Sequence, residues 1–136
     1  MSDGKKRLEE LAKRARANLA RHGTGTSPDH LRGLALLDEL ERELKGPLAM
    51  PGLSVKRDPD RIMLTRAPRN AEVVLFWDKA IHVLDVRVMR HGEPAKLRRC
   101  VFDPHANHFR TMDDPHVELY ELLTDSIQFA LYPEAV

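Results

Sequence analysis

Between Val73 and Phe102 three runs rich in β-branched and aromatic residues alternate with two short polar breaks. The runs are Val73–Trp77, Ile81–Met89 and Leu97–Phe102, and the breaks are Asp78-Lys79 and Arg90-His91-Gly92-Glu93-Pro94. This pattern predicts consecutive antiparallel strands. Upstream, Leu53 and Val55 start a period of two, Asp58-Pro59-Asp60 turns it, and Ile62 and Leu64 continue it before Pro68-Arg69-Asn70. Within Ile81–Met89 the inward phase slips: Ile81 and Val83 share one parity, while Leu84, Val86 and Val88 share the other. A β-bulge near Val83-Leu84, or a strand buried on both faces, reconciles the two. Asp103-Pro104-His105-Ala106-Asn107 predicts another turn, followed by a short strand through Phe109 and Thr111.

Helical spacing brackets the strands. Ser27-Pro28-Asp29 supplies a hydroxyl cap, a first-turn proline and a first-turn acid, and Gly46-Pro47 forbids continuation past Lys45. Leu31, Leu34, Leu37, Leu40 and Leu44, broadened by Leu36, make this a core helix. The connection 46–52 is apolar enough to lie against the body. Asp114-Pro115 predicts the start of a last helix. Its broad stripe of Val117, Tyr120, Leu123, Ile127 and Leu131, with Leu119 and Leu122, suits a helix lying flat on a sheet, and Pro133 ends it. A first helix, from about Lys5 to Arg21 behind Asp3, differs in kind. Its stripe of Leu8, Leu11, Ala12, Ala15 and Leu19 is narrow and nearly half alanine, by contrast with the leucine-rich core helix, so it buries little.

The order is helix, helix, about six short antiparallel strands, helix. The expected fold is α+β, an antiparallel meander with two N-terminal helices and one C-terminal helix, the helices covering one sheet face. Residues 1–26 form a basic helix plus a Gly/Thr linker, and residues 27–136 form a single α+β domain. By element order alone this resembles a frataxin-like two-layer sandwich or a pleckstrin-homology-like barrel closed by its last helix. No motif of either family is present, so neither resemblance implies a function.

Length and composition bound the rest. A chain of 136 residues buries a core without staples, and its one cysteine, Cys100, forms no internal disulfide, which fits a reducing, cytoplasmic setting. No apolar run approaches a membrane span, and neither a secretory nor a transit pattern is expected. The net charge of +1 hides segregation. Residues 1–27 carry seven Lys/Arg against three Asp/Glu, whereas after Arg110 there are six acids and no Lys or Arg. Such a chain favours oriented self-association or a charged partner, unless the charges mix in space.

Three functional readings follow. The first is a non-enzymatic cytoplasmic binding or adaptor domain that associates with itself or a protein partner, with Leu8, Leu11, Ala15 and Leu19 as the contact stripe and no cofactor. The second is a metal-dependent enzyme or metal-binding protein using Asp103, His105, His108 and His116, because imidazole and carboxylate suit zinc, iron or manganese. Against it, Asp-Pro and Ala-Asn are ordinary turn chemistry. The third is an anion or nucleic-acid binder through Arg87, Arg90, Lys96, Arg98 and Arg99, on strands either side of His91-Gly92. A pI of about 8.0 and the lack of interleaved aromatics weigh against nucleic acid. Two smaller expectations concern single residues: Arg98-Arg99 would lower the Cys100 thiol pKa, and His82 or Asp85 would need a partner if it faced the helices.

Overall fold

In the computed structural model, which describes the backbone of residues 3–21 and 27–135 and the side chains of 4–14 and 27–135, nine elements follow one another. They are α1 (Asp3–Arg21), α2 (Pro28–Lys45), β1 (Leu53–Asp58), β2 (Arg61–Arg66), β3 (Ala71–Asp78), β4 (Val83–Arg90), β5 (Lys96–Asp103), β6 (His108–Thr111) and α3 (Leu119–Leu131). The fold is α+β, as the pattern predicts. The six strands form one antiparallel sheet in the order β1-β2-β3-β4-β5-β6, each hydrogen-bonded to its sequence neighbour. The sheet is open, with β1 and β6 as its edges, so the arrangement is two-layered rather than a closed barrel.

Alternation sorts the strand residues onto two faces. On the helix-covered face, cross-strand partners make buried rows. One runs Ile62–Leu75–Val86, another Leu64–Val73–Val88, and a third Trp77–Leu84–Cys100–Thr111. Leu37 and Leu40 of α2 and Leu119, Leu123, Ile127 and Leu131 of α3 cover these rows, and the core is continuous across all three elements. α2 begins as its sequence dictates: the Ser27 hydroxyl accepts from the His30 N–H at 3.1 Å, and Pro28 occupies the first turn. Arg57 of β1 donates to Asp38 at 2.8 Å and lies 3.5 Å from Glu41, tying the middle of α2 to the sheet edge. Among the described residues no helix is long and apolar enough to cross a membrane.

Two expectations are corrected. There is no bulge near Val83-Leu84, because β3 and β4 pair in unbroken register from Ala71↔Arg90 to Asp78↔Val83. The phase slip arises because Ile81 belongs to the turn rather than the strand. Asp78 Oδ1 accepts from the Ala80 N–H at 2.9 Å, His82 takes a left-handed φ of 54°, and Ile81 is left half-exposed. Val83, the first strand residue, is then buried on the outer face while Leu84, Val86 and Val88 face the helices.

The last helix starts at Leu119, not at Asp114. Residues 112–118 are pinned back onto β6 instead: the Thr111 N–H donates to the Val117 carbonyl at 2.8 Å, and the Thr111 hydroxyl donates to the Asp114 carbonyl. Asp114 Oδ1 accepts from the His116 N–H at 3.0 Å, closing a side-chain turn, and the backbones of Arg110 and Glu118 form an isolated antiparallel β-bridge. Asp-Pro here spends its capping chemistry on a turn, which is the competing use of the same side chain.

Candidate functional site

A concave apolar groove is built where α2 stops. Gly46 and Pro47 end that helix, and the chain tucks back through Leu48 N–H to Glu43 O (2.7 Å) and Ala49 N–H to Gly46 O (3.0 Å). This return lays Leu48, Met50 and Pro51 alongside α3. The Tyr132 hydroxyl locks it by donating to the Pro51 carbonyl at 2.7 Å, with the Arg66 guanidinium 4.2 Å over the Tyr132 ring. The enclosed space is about 560 Å³, walled by Leu40, Leu44, Met50, Leu123, Ile127 and Tyr132. Leu48 is 46% exposed at its lip, and Thr124 is exposed on α3.

Little polar chemistry is left free inside. The Tyr132 hydroxyl is engaged with Pro51, and the Tyr120 hydroxyl donates to Glu43 at 3.1 Å. Burial, the Glu43 hydrogen bond and the charges of Glu39, Glu43 and Glu118 push the Tyr120 pKa up to about 12, so it stays a phenol. That end of the groove is acidic. Among the described residues Glu39, Glu43, Glu118, Glu121 and Asp125 have no ion-pair partner, whereas Asp38 and Glu41 are taken up by Arg57 and Lys45.

The contact stripe expected on α1 is partly described. Leu8 and Leu11 are 66% and 59% exposed, and every described side chain from Gly4 to Arg14 is exposed. The side chains of Ala15 and Leu19, and the linker residues 22–26, lie outside the described residues.

The basic hairpin does not form one patch. Alternation sends Arg87 and Arg99 to the outer face, where Arg99 Nε lies 3.1 Å from Asp85. Arg90, Lys96 and Arg98 take the helix side. Arg90 and Lys96 sit 4.3 and 4.1 Å over the Phe129 ring of α3, Arg90 also reaches Glu93 at 3.3 Å, and Arg98 meets Asp113 at 3.3 Å. The sheet thus splits the charges that the sequence clusters, and neighbouring acids and a ring occupy most of them.

The Asp103–His116 segment is likewise dispersed. Asp103 Oδ1 accepts from the His105 and Ala106 N–H groups at 2.9 and 3.3 Å, and Oδ2 lies 3.3 Å from Arg110 Nε. Burial raises the Asp103 pKa, but these hydrogen bonds outweigh it and hold the carboxyl below its ordinary range. His105 and His116 are exposed, and among the described residues no three His, Cys, Asp or Glu side chains are grouped so as to hold a metal ion.

Cys100 reverses the expectation made for it. Its side chain is fully buried on the helix face, and burial pushes the thiol up to about 12, against which the nearby Arg98 acts only weakly. Arg99, adjacent in sequence, points to the opposite face. Asp85 is half-buried on the outer face; burial raises its pKa, and the Arg99 partner opposes the rise.

One cluster has no counterpart in the sequence reading. His30, buried in the first turn of α2, accepts the Trp77 Nε1–H at Nδ1 over 2.8 Å. Trp77 stacks on His82 with centroids 6.3 Å apart and meets Phe109 edge-on at 6.2 Å; His82 Nδ1 lies 3.6 Å from Asp29. The legible signal was Gly33: a glycine inside a leucine-rich helix, one turn after His30, marks a close approach. A Cβ there would stand 2.0 Å from Trp77 Cε2. The cluster fastens the start of α2 to the β3–β4 turn, and the Ser27 hydroxyl beside it is used as the helix cap.

This knot carries a pH dependence. Burial, then the charges of Lys79 and His82, lower the His30 pKa below its ordinary 6.5. The unfolded chain therefore binds more protons, so the stability contributed by neutral His30 is complete above pH 6.5 and drains away as pH falls below it through the folded-state value. Urea midpoints at pH 7.5 and pH 5.5 should fall further for the wild type than for His30→Gln. Equal falls would remove His30 as the titrating group.

No family model matches this sequence, no curated protein matches it, and no solved structure matches the fold at a significant level.

Proposed function

We propose that this protein is a non-enzymatic binding domain that acts by association, with α1 as its contact element. The observation that carries the reading is the exposure of Leu8 and Leu11, 66% and 59%, on a helix otherwise covered in charge. Two leucines four-fifths of a turn apart on one stripe gain several kcal/mol when covered, at roughly 1.5–3 kcal/mol for each complete burial, and in the isolated chain that gain is unrealised. The helical spacing extends the stripe through Ala12, Ala15 and Leu19, giving the i, i+3, i+4, i+7 anchors by which amphipathic helices dock in apolar grooves. A cytoplasmic site of action and the absence of a cofactor belong to the same reading.

The test is Leu8→Glu with Leu11→Glu in the full chain. Both positions are exposed, so the unfolding free energy should stay within about 0.5 kcal/mol of wild type. Sedimentation velocity should show the wild type associating with itself and the variant confined to monomer. A variant that associates like the wild type would sink the proposal.

A further inference from the structure

We infer that the groove between α2 and α3 is the socket for α1 of a second copy of this chain, so that two molecules exchange helices reciprocally. The inference rests on the reading of α1 as the contact element and adds the surface that receives it. The groove supplies what α1 lacks: a continuous apolar floor of Leu40, Leu44, Leu123 and Ile127, about 560 Å³ in extent. Its polar groups are engaged internally, which leaves no convergent hydrogen-bonding set of the kind that orients a small polar ligand. Apolar side chains at helical spacing suit it better.

Charge selects the occupant. Glu39, Glu43 and Glu118 gather at the Tyr120 end, α3 adds Glu121 and Asp125, and no Lys or Arg follows Arg110. Residues 1–27 hold seven Lys/Arg against three acids. The helix that exposes Leu8 and Leu11 is therefore the basic one, and the groove, whose own lining carries no Asp or Glu, opens at its Tyr120 end beside acidic side chains. Such complementarity fixes orientation and speeds encounter. In the single chain every described side chain of α1, residues 4–14, is exposed and none of them lines the groove, so the helix proposed to fill it comes from another molecule. Reciprocity makes the assembly isologous and closed, the commonest symmetry of soluble oligomers.

The experiment uses three full-length proteins in sedimentation velocity: the wild type, Leu8→Glu with Leu11→Glu, and Leu48→Arg with Thr124→Arg. The last pair alters exposed positions at the groove, so far-UV circular dichroism and the melting midpoint should match wild type. The wild type is expected to be a dimer that weakens with added salt, and each variant alone should be weaker by roughly 30-fold or more, the effect of losing hot-spot contacts. Mixed together, the two variants should form a one-to-one heterodimer, because one intact helix then meets one intact groove. If the helix variant is monomeric while the groove variant dimerises like wild type, the socket is wrong and the role of α1 stands. If both variants dimerise like wild type, both ideas fall. A wild type that is monomeric at its highest soluble concentration overturns the exchange, as does a mixture that yields no heterodimer.

Discussion

Trp77→Ala is expected to lower the unfolding free energy by about 3–5 kcal/mol, the range for removing a buried tryptophan. The indole is 2% exposed and joins three elements: Gly33 and His30 of α2 lie against it, Phe109 of β6 meets its edge, and His82 stacks on it from the β3–β4 turn. Truncation leaves a cavity between α2 and the sheet and takes away the donor that His30 Nδ1 accepts. An unpaired buried acceptor adds to the cost of the cavity. The loss should appear in urea unfolding followed by far-UV circular dichroism, since this is the chain's one tryptophan and fluorescence disappears with it. A loss near 1 kcal/mol or less, which is about the centre of the distribution for ordinary substitutions, would mean that the knot does not anchor α2.

The same cluster shows where sequence patterning stops. Period two across 53–111 and the cap-plus-proline signal at Ser27-Pro28 specify backbone states locally, and the sheet order and α2 follow from them. Asp114-Pro115 carries a similar local signal, yet Thr111 captures the backbone of residues 114–117 and moves the helix start to Leu119. Hydrogen bonds from the strand residue three and six positions upstream override a cap at little cost when the side chain has a turn to make instead. His30 and Trp77 are 47 positions apart, and nothing local reports their hydrogen bond. The basic hairpin failed as a patch for a different reason. One strand presents its residues to both faces, so Arg98 and Arg99, adjacent in sequence, end on opposite sides of the sheet. On α1, the exposure of Leu8 and Leu11 was legible because poor burial follows from the composition of their stripe. The groove was not, because its walls come from α2, the 46–52 return and α3, and only the tertiary arrangement sets the gap between them.

Gly33→Ala should destabilise the wild type by about 1–3 kcal/mol or more, as overpacking does, although alanine is the better helix former by about 1 kcal/mol. The new methyl would meet three indole carbons at 2.0, 2.3 and 2.4 Å, and the ring it meets is already in contact with Phe109 and His82. In the Trp77→Ala background the sign should reverse. There the methyl enters the vacated cavity and the helix-propensity gain is realised, so Gly33→Ala should stabilise by about 0.5–1 kcal/mol. The double-mutant cycle then isolates the clash as a coupling of about 1.5–4 kcal/mol, at the upper end of the range for residues in direct contact and above it. Chemical denaturation of the four proteins, each at pH 7.5 to keep His30 neutral, supplies the cycle. Additive costs would show that α2 rides above the indole rather than upon it, and that Gly33 serves some purpose other than letting the helix descend onto Trp77.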